Sequence, residues 1–584
     1  TTLTLNDGTF GNLRLSAGHL FDVDGGTVTA TGFELVSAES NDGPVLARIH
    51  NGGSFTLTTG SLGTSTTAPA ISTEKEGGLF RVDGATLSLS GVTVASMVAE
   101  NGGVVWSSGN ASLAFTDVDV ASVDAFGHGA ILRQDGGSFV WTGGSATSVV
   151  SDDGGALFQV AGSAVVTDVQ FTSVQGTNGP AVARSLQSMT LEGVTVDGAV
   201  SATAAVEGDA TLAITHSAFV GGTGGEAAHV WMSGSLLTVD SSTFELGDCT
   251  GPSSTRGASS VVVDDSDAVI TGSSFTSNGD PASVCRGALQ VDGTATLSGV
   301  TFEGNQHAEV GAIEVDQASA LLQGTLANTF SNNIGPEGAI SGRSNAALGG
   351  AGHGFAGQFS SNQGGAIRFA VDTDVWLAAS SFEDNDTLAA GGAIRVGTDG
   401  TLTAQGTTFA RNRAGGRGGA VAFESGGEAE LTDCVFASNT AGTSAGAAYF
   451  EGLTTLDEVR FEDNVASTNG GAVNCQDTFI ATGGSFLGNA ASSSGGGLYC
   501  GDASVTLDGV RFDGNRGDSG AAVYVGVDGD LVLRDARISG NEAAGRAAVF
   551  VREGGTTLVE QTLFCGNLVG QEPGGLYTTG SGGT

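Results

Sequence analysis

The sequence predicts an all-β chain, a parallel β-helix (solenoid) of roughly 22 coils with ~26 residues per coil. Three observations carry that prediction. A Phe-x-x-Asn motif recurs at near-constant spacing. A Gly-Gly-Ala-(Ile/Val) motif recurs at the same period, half a repeat out of step. Between them lie short alternating runs closed by Gly, Asp and Asn, the pattern of strands and turns.

The Phe-x-x-Asn motif begins at Phe275, Phe302, Phe330, Phe359, Phe382, Phe409, Phe436, Phe461, Phe486 and Phe512, and continues at Ile538 and Phe564. Successive steps run from 23 to 29 residues. In a solenoid each repeat returns to the same place one coil higher, ~4.8 Å along the axis. The expectation is an internal Phe stack and an Asn ladder at one turn, each Asn side chain bonding the next. Its members include Phe302 with Asn305, Phe382 with Asn385, Phe409 with Asn412 and Phe436 with Asn439. Phe461 with Asn464, Phe486 with Asn489 and Phe512 with Asn515 continue it. The glycine doublets, as at 364–367, 391–394, 418–421 and 470–473, allow a tight corner and close backbone approach.

Residues 1–584 read as a single β-helix. Within it, 1–244 holds degenerate repeats, 245–286 irregular loops, 287–570 regular repeats and 571–584 a Gly-rich tail. In the degenerate part the Phe slot is expected at Val94, Val118, Phe171, Val196, Phe219 and Phe244. Leucine-rich and helical repeats are excluded, since neither L-x-x-L-x-L nor a 3.6-residue period appears.

Composition removes other classes. There are 62 Asp+Glu against 21 Lys+Arg, a net charge of −41. Hydrophobic residues are 40%, too many for a disordered acidic tail. The 98 glycines follow no Gly-X-Y period, so the chain is not collagen. No run approaches ~18 apolar residues, as a membrane helix needs. An acidic surface repels phosphate backbones, which excludes nucleic acid as a partner. The chain opens on TTLTLNDGTF with neither initiator Met nor signal, as an excised part of a longer precursor would. Any membrane attachment is expected through flanking domains alone.

Cys475 and Cys500 lie 25 residues apart, each 14 after its motif Phe. They should face each other on adjacent coils, ~5 Å apart and within disulfide reach. Cys249 and Cys285 fall in the two irregular loops. Two disulfides and an oxidising compartment are expected, with four unpaired small hydrophobes as the bland alternative. Cys434 reads as a core residue, and Cys565 has no partner in reach.

The interleaved GGA(I/L/V) and FxxN repeats resemble the polymorphic outer membrane proteins of chlamydiae and their relatives. The resemblance covers Phe275–Asn567 well and the N-terminal half in phase only. It implies a right-handed, autotransporter-passenger-like β-helix, extracellular and on the bacterial cell surface. It also implies a structural or adhesive rod mediating attachment. Partners would be a host or neighbouring cell surface, a glycan, or a second copy through self-association. The chain departs from the family in lacking a C-terminal β-barrel and in its acidity, with Lys75 its single lysine. The irregular loops Ser61–Glu76 and Thr243–Arg286 are the expected contact points. An alternative is a filament or sheath subunit assembling end to end.

No catalytic motif stands out. The seven histidines are dispersed. A GxSxG match around Ser444 runs into a strand slot, so a turn is the reading. The glycine-rich stretch 349–357 follows no βαβ pattern. The enzyme alternative is a polysaccharide lyase or hydrolase of the β-helix type, which needs clustered carboxylates or Ca²⁺ beside a basic residue. The slot after Gly-Ala-Ile places Glu314, Ser341, Arg368 and Arg395 on successive coils of one outer face. That strip suits an acidic sugar or an ordinary ion-pair ladder. Asp264, Asp265 and Asp267 form an acidic loop that suits weak Ca²⁺ binding, the one cofactor entertained. Asp117, Asp119 and Asp124 are a second such set, and solvated turns are the alternative for both. Only four Trp and four Tyr are present, which weighs against a sugar-processing cleft.

Overall fold

The computed structural model describes the chain except residues 17, 65–68, 74–76, 251–256, 283–284, 317–320, 344, 351–353 and 580–584. Parts of the loops Ser61–Glu76 and Thr243–Arg286, Lys75, part of the 349–357 stretch and the end of the Gly-rich tail thus lie outside the described residues. The described residues form an all-β parallel solenoid of about 21 turns with ~26 residues per turn. No helix among them is long and apolar enough to cross a membrane. The chain divides into two compact units, Thr1–Gly293 and Thr294–Thr584.

One coil of the second unit shows how sequence makes structure. Ile394–Val396 is the first strand, and a turn through Asp399 leads to Thr401–Gln405. Thr408–Ala410 carries Phe409 inward, and Arg413–Ala414 precedes the Gly corner. The strand Thr401–Gln405 alternates inward Leu402 and Ala404 with outward polar residues. Each strand pairs in parallel with its counterpart one coil later, Phe409 opposite Phe436 and Ile394 opposite Val421.

The Phe column stacks face to face. From Phe302 to Phe512 the ring centroids are 4.5–5.1 Å apart and the planes lie within 19°. Each contact is worth roughly 0.5–1.5 kcal/mol beyond the area it buries.

The Asn ladder is also buried, and it is continuous. Asn305 donates from its side-chain amide to Asn333 Oδ1 at 2.9 Å, and Asn333 to Asn362 at 3.1 Å. Asn362 donates to Asn385 and Asn385 to Asn412, both at 2.9 Å, and Asn412 to Asn439 at 3.0 Å. Asn439 reaches Asn464 and Asn464 reaches Asn489, both at 2.9 Å. Asn489 donates to Asn515 at 3.0 Å, Asn515 to Asn541 and Asn541 to Asn567 at 2.9 Å. The sequence predicts only these Asn-to-Asn bonds. The structure adds two more per residue. The amide of Asn439 also donates to Phe409 O on the preceding coil at 2.9 Å, and Asn464 Oδ1 also accepts the backbone N–H of Asn439 at 2.9 Å. The same backward bond to a Phe carbonyl is made by Asn385, Asn412, Asn489 and Asn515. Each Asn therefore ties three coils together and satisfies its own buried amide.

The residue before each ladder Asn adopts positive φ, as in Asp384 (55°), Ser438 (57°), Asp463 (53°) and Gly514 (68°). Hence Gly, Asp, Ser or Asn usually fills that place. The glycine doublet answers a different demand. Its second glycine presses on the next coil: a methyl on Gly419 would lie 2.0 Å from Gly446 O, and one on Gly471 2.0 Å from Gly496 O.

The first unit uses longer strands, such as Ser112–His128 and Leu132–Thr147. Its Phe slot runs through Val94, Val120, Ala146, Phe171 and Val196. The expected Val118 instead pairs with Gly144. Both valines point inward, and a two-residue period lets the assignment slip by one pleat. Lacking the Asn ladder over most of its length, this unit has a serine one. Val194 N donates to Ser217 Oγ, Ser217 N to Ser242 Oγ and Ser242 N to Ser273 Oγ, each at 3.1 Å. Cys434 holds the equivalent place in the second unit, its thiol donating to Ala404 O. Burial pushes that thiol up to about 11. Cys249–Cys285 and Cys475–Cys500 are disulfides, with Cα–Cα separations of 5.9 and 4.6 Å.

Two glycine substitutions separate conformational from steric demand. Gly514→Ala meets no atom within 4 Å and should cost ~1 kcal/mol, the left-handed penalty alone. Gly471→Ala should cost ~3 kcal/mol or more, because backbone must move. Urea unfolding of both variants checks the order, and equal losses would contradict it.

Candidate functional surface

The residue after Gly-Ala-Ile points outward from the first strand of each coil. Register, not sequence, shows what gathers there. In the second unit Glu314, Ser341, Arg368 and Arg395 are consecutive partners. The column continues through Ala422, Tyr449, Asn474, Tyr499, Tyr524, Phe550 and Tyr577. All four tyrosines of the chain are in it. In the first unit the same position holds Arg48, Arg81, Trp106, Arg133, Phe158 and Arg184 on six successive coils. Glu207 and Trp231 follow.

The ladder asparagines form no part of this surface. Asn305, Asn385, Asn412, Asn439, Asn464, Asn489 and Asn515 are wholly buried, so no ligand can reach their amides. They sit at the turn after the Phe strand and act on the surface only by fixing the register of the coils that carry it.

The second-unit column is unevenly covered: Glu314, Ser341, Ala422, Tyr449, Asn474 and Phe550 are buried, Arg368, Arg395, Tyr499 and Tyr524 are half-buried, and Tyr577 is exposed. The first glycine of each doublet lies over the column residue four places on. A methyl on Gly391 would come 3.2 Å from Arg395 Cβ, and one on Gly495 2.6 Å from Tyr499 Cβ. The aromatic rings stack along the column, Tyr499 on Tyr524 at 4.9 Å and Tyr524 on Phe550 at 5.3 Å. The edges and hydroxyls of Tyr499 and Tyr524, rather than their faces, therefore meet solvent, while Phe550 is buried. Arg417 lies 4.2 Å over Tyr449, whose hydroxyl donates to Glu451 at 2.6 Å. Burial, then that bond to a carboxylate, pushes Tyr449 up to about 12.

The predicted strip is partly an ion-pair ladder. Glu314 is buried and meets Arg343 Nε at 3.1 Å. Arg395 meets Glu424 at 2.6 Å. Arg368 makes no ion pair among the described residues. It lines a groove of about 870 Å³ with Ile334, Pro336, Gln363, Asp384, Asp386 and Leu388. Both Asp384 oxygens are taken by the Arg411 guanidinium at 2.9 Å. Leu388 is 95% exposed at the rim.

Other expected sites are placed differently. Asp264, Asp265 and Asp267 sit in a turn whose Ser266 points inward and donates to Asp264 O at 2.8 Å. Asp119 accepts from Ser145 Oγ at 2.7 Å, on the neighbouring coil. No group of three His, Cys, Asp or Glu among the described residues is arranged to hold a metal ion. Ser444 lies in the turn before the strand Ala448–Phe450.

The stretch 458–476 contains three of the four strands of a coil, Arg460–Glu462, Val465–Ala466 and Val473–Cys475. Phe461 stacks and Asn464 joins the ladder. Gly471 presses on the next coil, Asn474 takes the outward column and Cys475 the disulfide. Residues 458–476 match the Chlamydia polymorphic membrane protein (Chlamydia_PMP) repeat. No curated protein matches the chain. The polymorphic membrane protein repeat and the solenoid together fit the passenger of a surface protein. Within the matched stretch the glycines and Asn464 build the corner and the ladder, and Asn474 is the position that faces outward.

One buried titratable group, Glu207, lies in the first-unit column, and another, His229, lies two residues before Trp231. Glu207 is pushed up by burial, opposed by its bond from Thr203 and by Arg184 at 3.5 Å. His229 donates from Nε2 to Gly221 O at 2.9 Å and accepts from Ser260 Oγ at Nδ1, 3.0 Å. Burial holds it neutral, down to about 4. Between about pH 6.5 and 4 the unfolded chain therefore binds a proton that the folded one refuses. That stability is whole above pH 6.5 and falls by about 3 kcal/mol toward pH 4. Urea unfolding at pH 7 and 4.5 should show a smaller acid loss in His229→Gln than in wild type. Equal acid losses would contradict the assignment.

Proposed function

We propose that the chain is an adhesive segment of a bacterial surface protein, holding its ligand along the outward column. One observation carries the reading. In a chain of net charge −41, one position per coil collects all four tyrosines and six of the twenty arginines. A purely structural ladder would be served by the threonines and valines found elsewhere on the outer faces. Within each unit the position repeats at one strand spacing, ~4.8 Å, so weak contacts add along that unit's column. The match to a surface-protein repeat supports the cell-surface setting.

The groove beside Arg368 favours a second reading, cleavage of a bound glycan. Paired carboxyls would be required there. Asp384 is already held by Arg411, which leaves Asp386 alone and favours binding over turnover.

The purified protein should bind whole cells or immobilised cell-surface glycans. The double variant Tyr499→Ala with Tyr524→Ala should weaken that binding at least ~10-fold, while circular dichroism remains that of the wild type. Unchanged binding in the double variant would overturn the column as contact surface. Release of new reducing ends from a bound glycan, lost in Arg368→Gln, would favour the enzymatic reading.

A further inference from the structure

The first-unit column has an order that the second lacks. Arg81, Trp106, Arg133, Phe158 and Arg184 alternate cation and aromatic over five successive coils. Guanidiniums thus recur every second coil, about 9.6 Å. That is close to the length of one extended disaccharide. Arg48 adds a cation on the coil before Arg81, directly opposite it in register.

Arg48 and Arg81 form no ion pair among the described residues, although the chain carries 62 carboxylates. Two like charges opposed on neighbouring strands destabilise the sheet unless an anion lies between them. The nearest column carboxylate, Asp22, is the register partner of Arg48. Its Oδ1 is engaged by His50 Nε2 at 2.9 Å and lies 3.7 Å from His19. The Arg81 guanidinium is held 4.3 Å over the Trp106 ring, and Arg133 approaches the same ring at 5.8 Å. Trp106 Nε1 donates to Asp135 at 2.7 Å, and Arg133 Nε to the same carboxylate at 3.2 Å. The indole therefore fixes the cations, leaving the terminal nitrogens of Arg133 for a ligand. Arg184 lies within 4 Å of Asp153, Glu207 and Asp209, and is the most compensated of the series.

We infer that this column binds an extended anionic polysaccharide bearing one carboxylate or sulfate per disaccharide, laid along the solenoid axis, with the Arg48–Arg81 pair its strongest contact. The inference rests on the adhesive reading above and adds the ligand class. Guanidinium forks suit planar carboxylate and sulfate groups, and their spacing sets the polymer's repeat. The abundant carboxylates elsewhere repel a polyanion, so affinity is confined to the Arg-bearing column.

The test uses the full chain and hyaluronan oligosaccharides of two to ten sugars, with chitin oligosaccharides as neutral controls and inorganic sulfate as the free anion. Titration calorimetry should show hyaluronan affinity rising with length and no chitin binding. Arg48→Gln with Arg81→Gln should lose at least tenfold, and Arg48→Lys with Arg81→Lys should recover part of it. Three outcomes overturn the inference: equal binding of chitin, undiminished hyaluronan binding in the Gln variant, or sulfate competing fully with no dependence on oligosaccharide length. Absence of hyaluronan binding while the tyrosine variant still loses cell attachment would overturn the ligand class and leave the adhesive reading standing. Loss of neither would remove both.

Discussion

The rest of the structure depends on one constraint: each coil must satisfy the polar groups of its neighbours, because the interior has no water to do so. The buried Asn ladder meets it most completely. One side chain caps a backbone N–H, bonds the next Asn and reaches back to a Phe carbonyl. This fixes register to a single residue at the turn. With register fixed, the Phe rings stack and the glycine doublets meet the next backbone. The outward column then falls into line. A slip of one residue would turn the column inward and the core outward.

Function rides on that register. In the second unit the Asn ladder holds the varied column residues at one strand spacing, and in the first unit strand pairing does so. Rigid placement of modest contacts is how a repeat surface gains avidity without a deep pocket. Beside the column His229 makes the first unit lose stability in acid, while the raised Glu207 carboxyl within the column acts in the opposite direction.

Much of the fold was legible because its makers repeat in identity as well as position. Phe, Asn and the glycine doublet each answer a demand few other residues meet. The spacing of Asn305, Asn385, Asn412, Asn489 and Asn515 placed them on one ladder, but spacing alone could not show their backward bonds to the Phe carbonyls. The 25-residue spacing of Cys475 and Cys500 is one coil, so their contact follows from arithmetic. The N-terminal slot was harder, since Val118 and Val120 are alike and both inward. The serine ladder was missed, for serine is common in this chain and its role shows only two places before each Phe. Of the outer column, only Glu314 to Arg395 could be read, where the flanking Gly-Ala-Ile is intact. Tyr449, Tyr499 and Tyr524 follow weaker motifs, and counting four tyrosines hid that all of them lie in one column. The signal was present as the residue after a Gly-x-apolar triplet, in GLFR, GVVW, GAAY and GGLY alike.

The most direct test of the ladder is native-state hydrogen exchange in Asn464→Ala against wild type. The account predicts that the amide of Asn439 loses most of its protection, because its acceptor is gone, and that the loss spreads to the coils of Phe436 and Phe461. The outward column there should lose its ordered register with it. Unchanged protection at Asn439 would contradict the claim that the Asn ladder, rather than strand pairing alone, sets the register on which the surface depends.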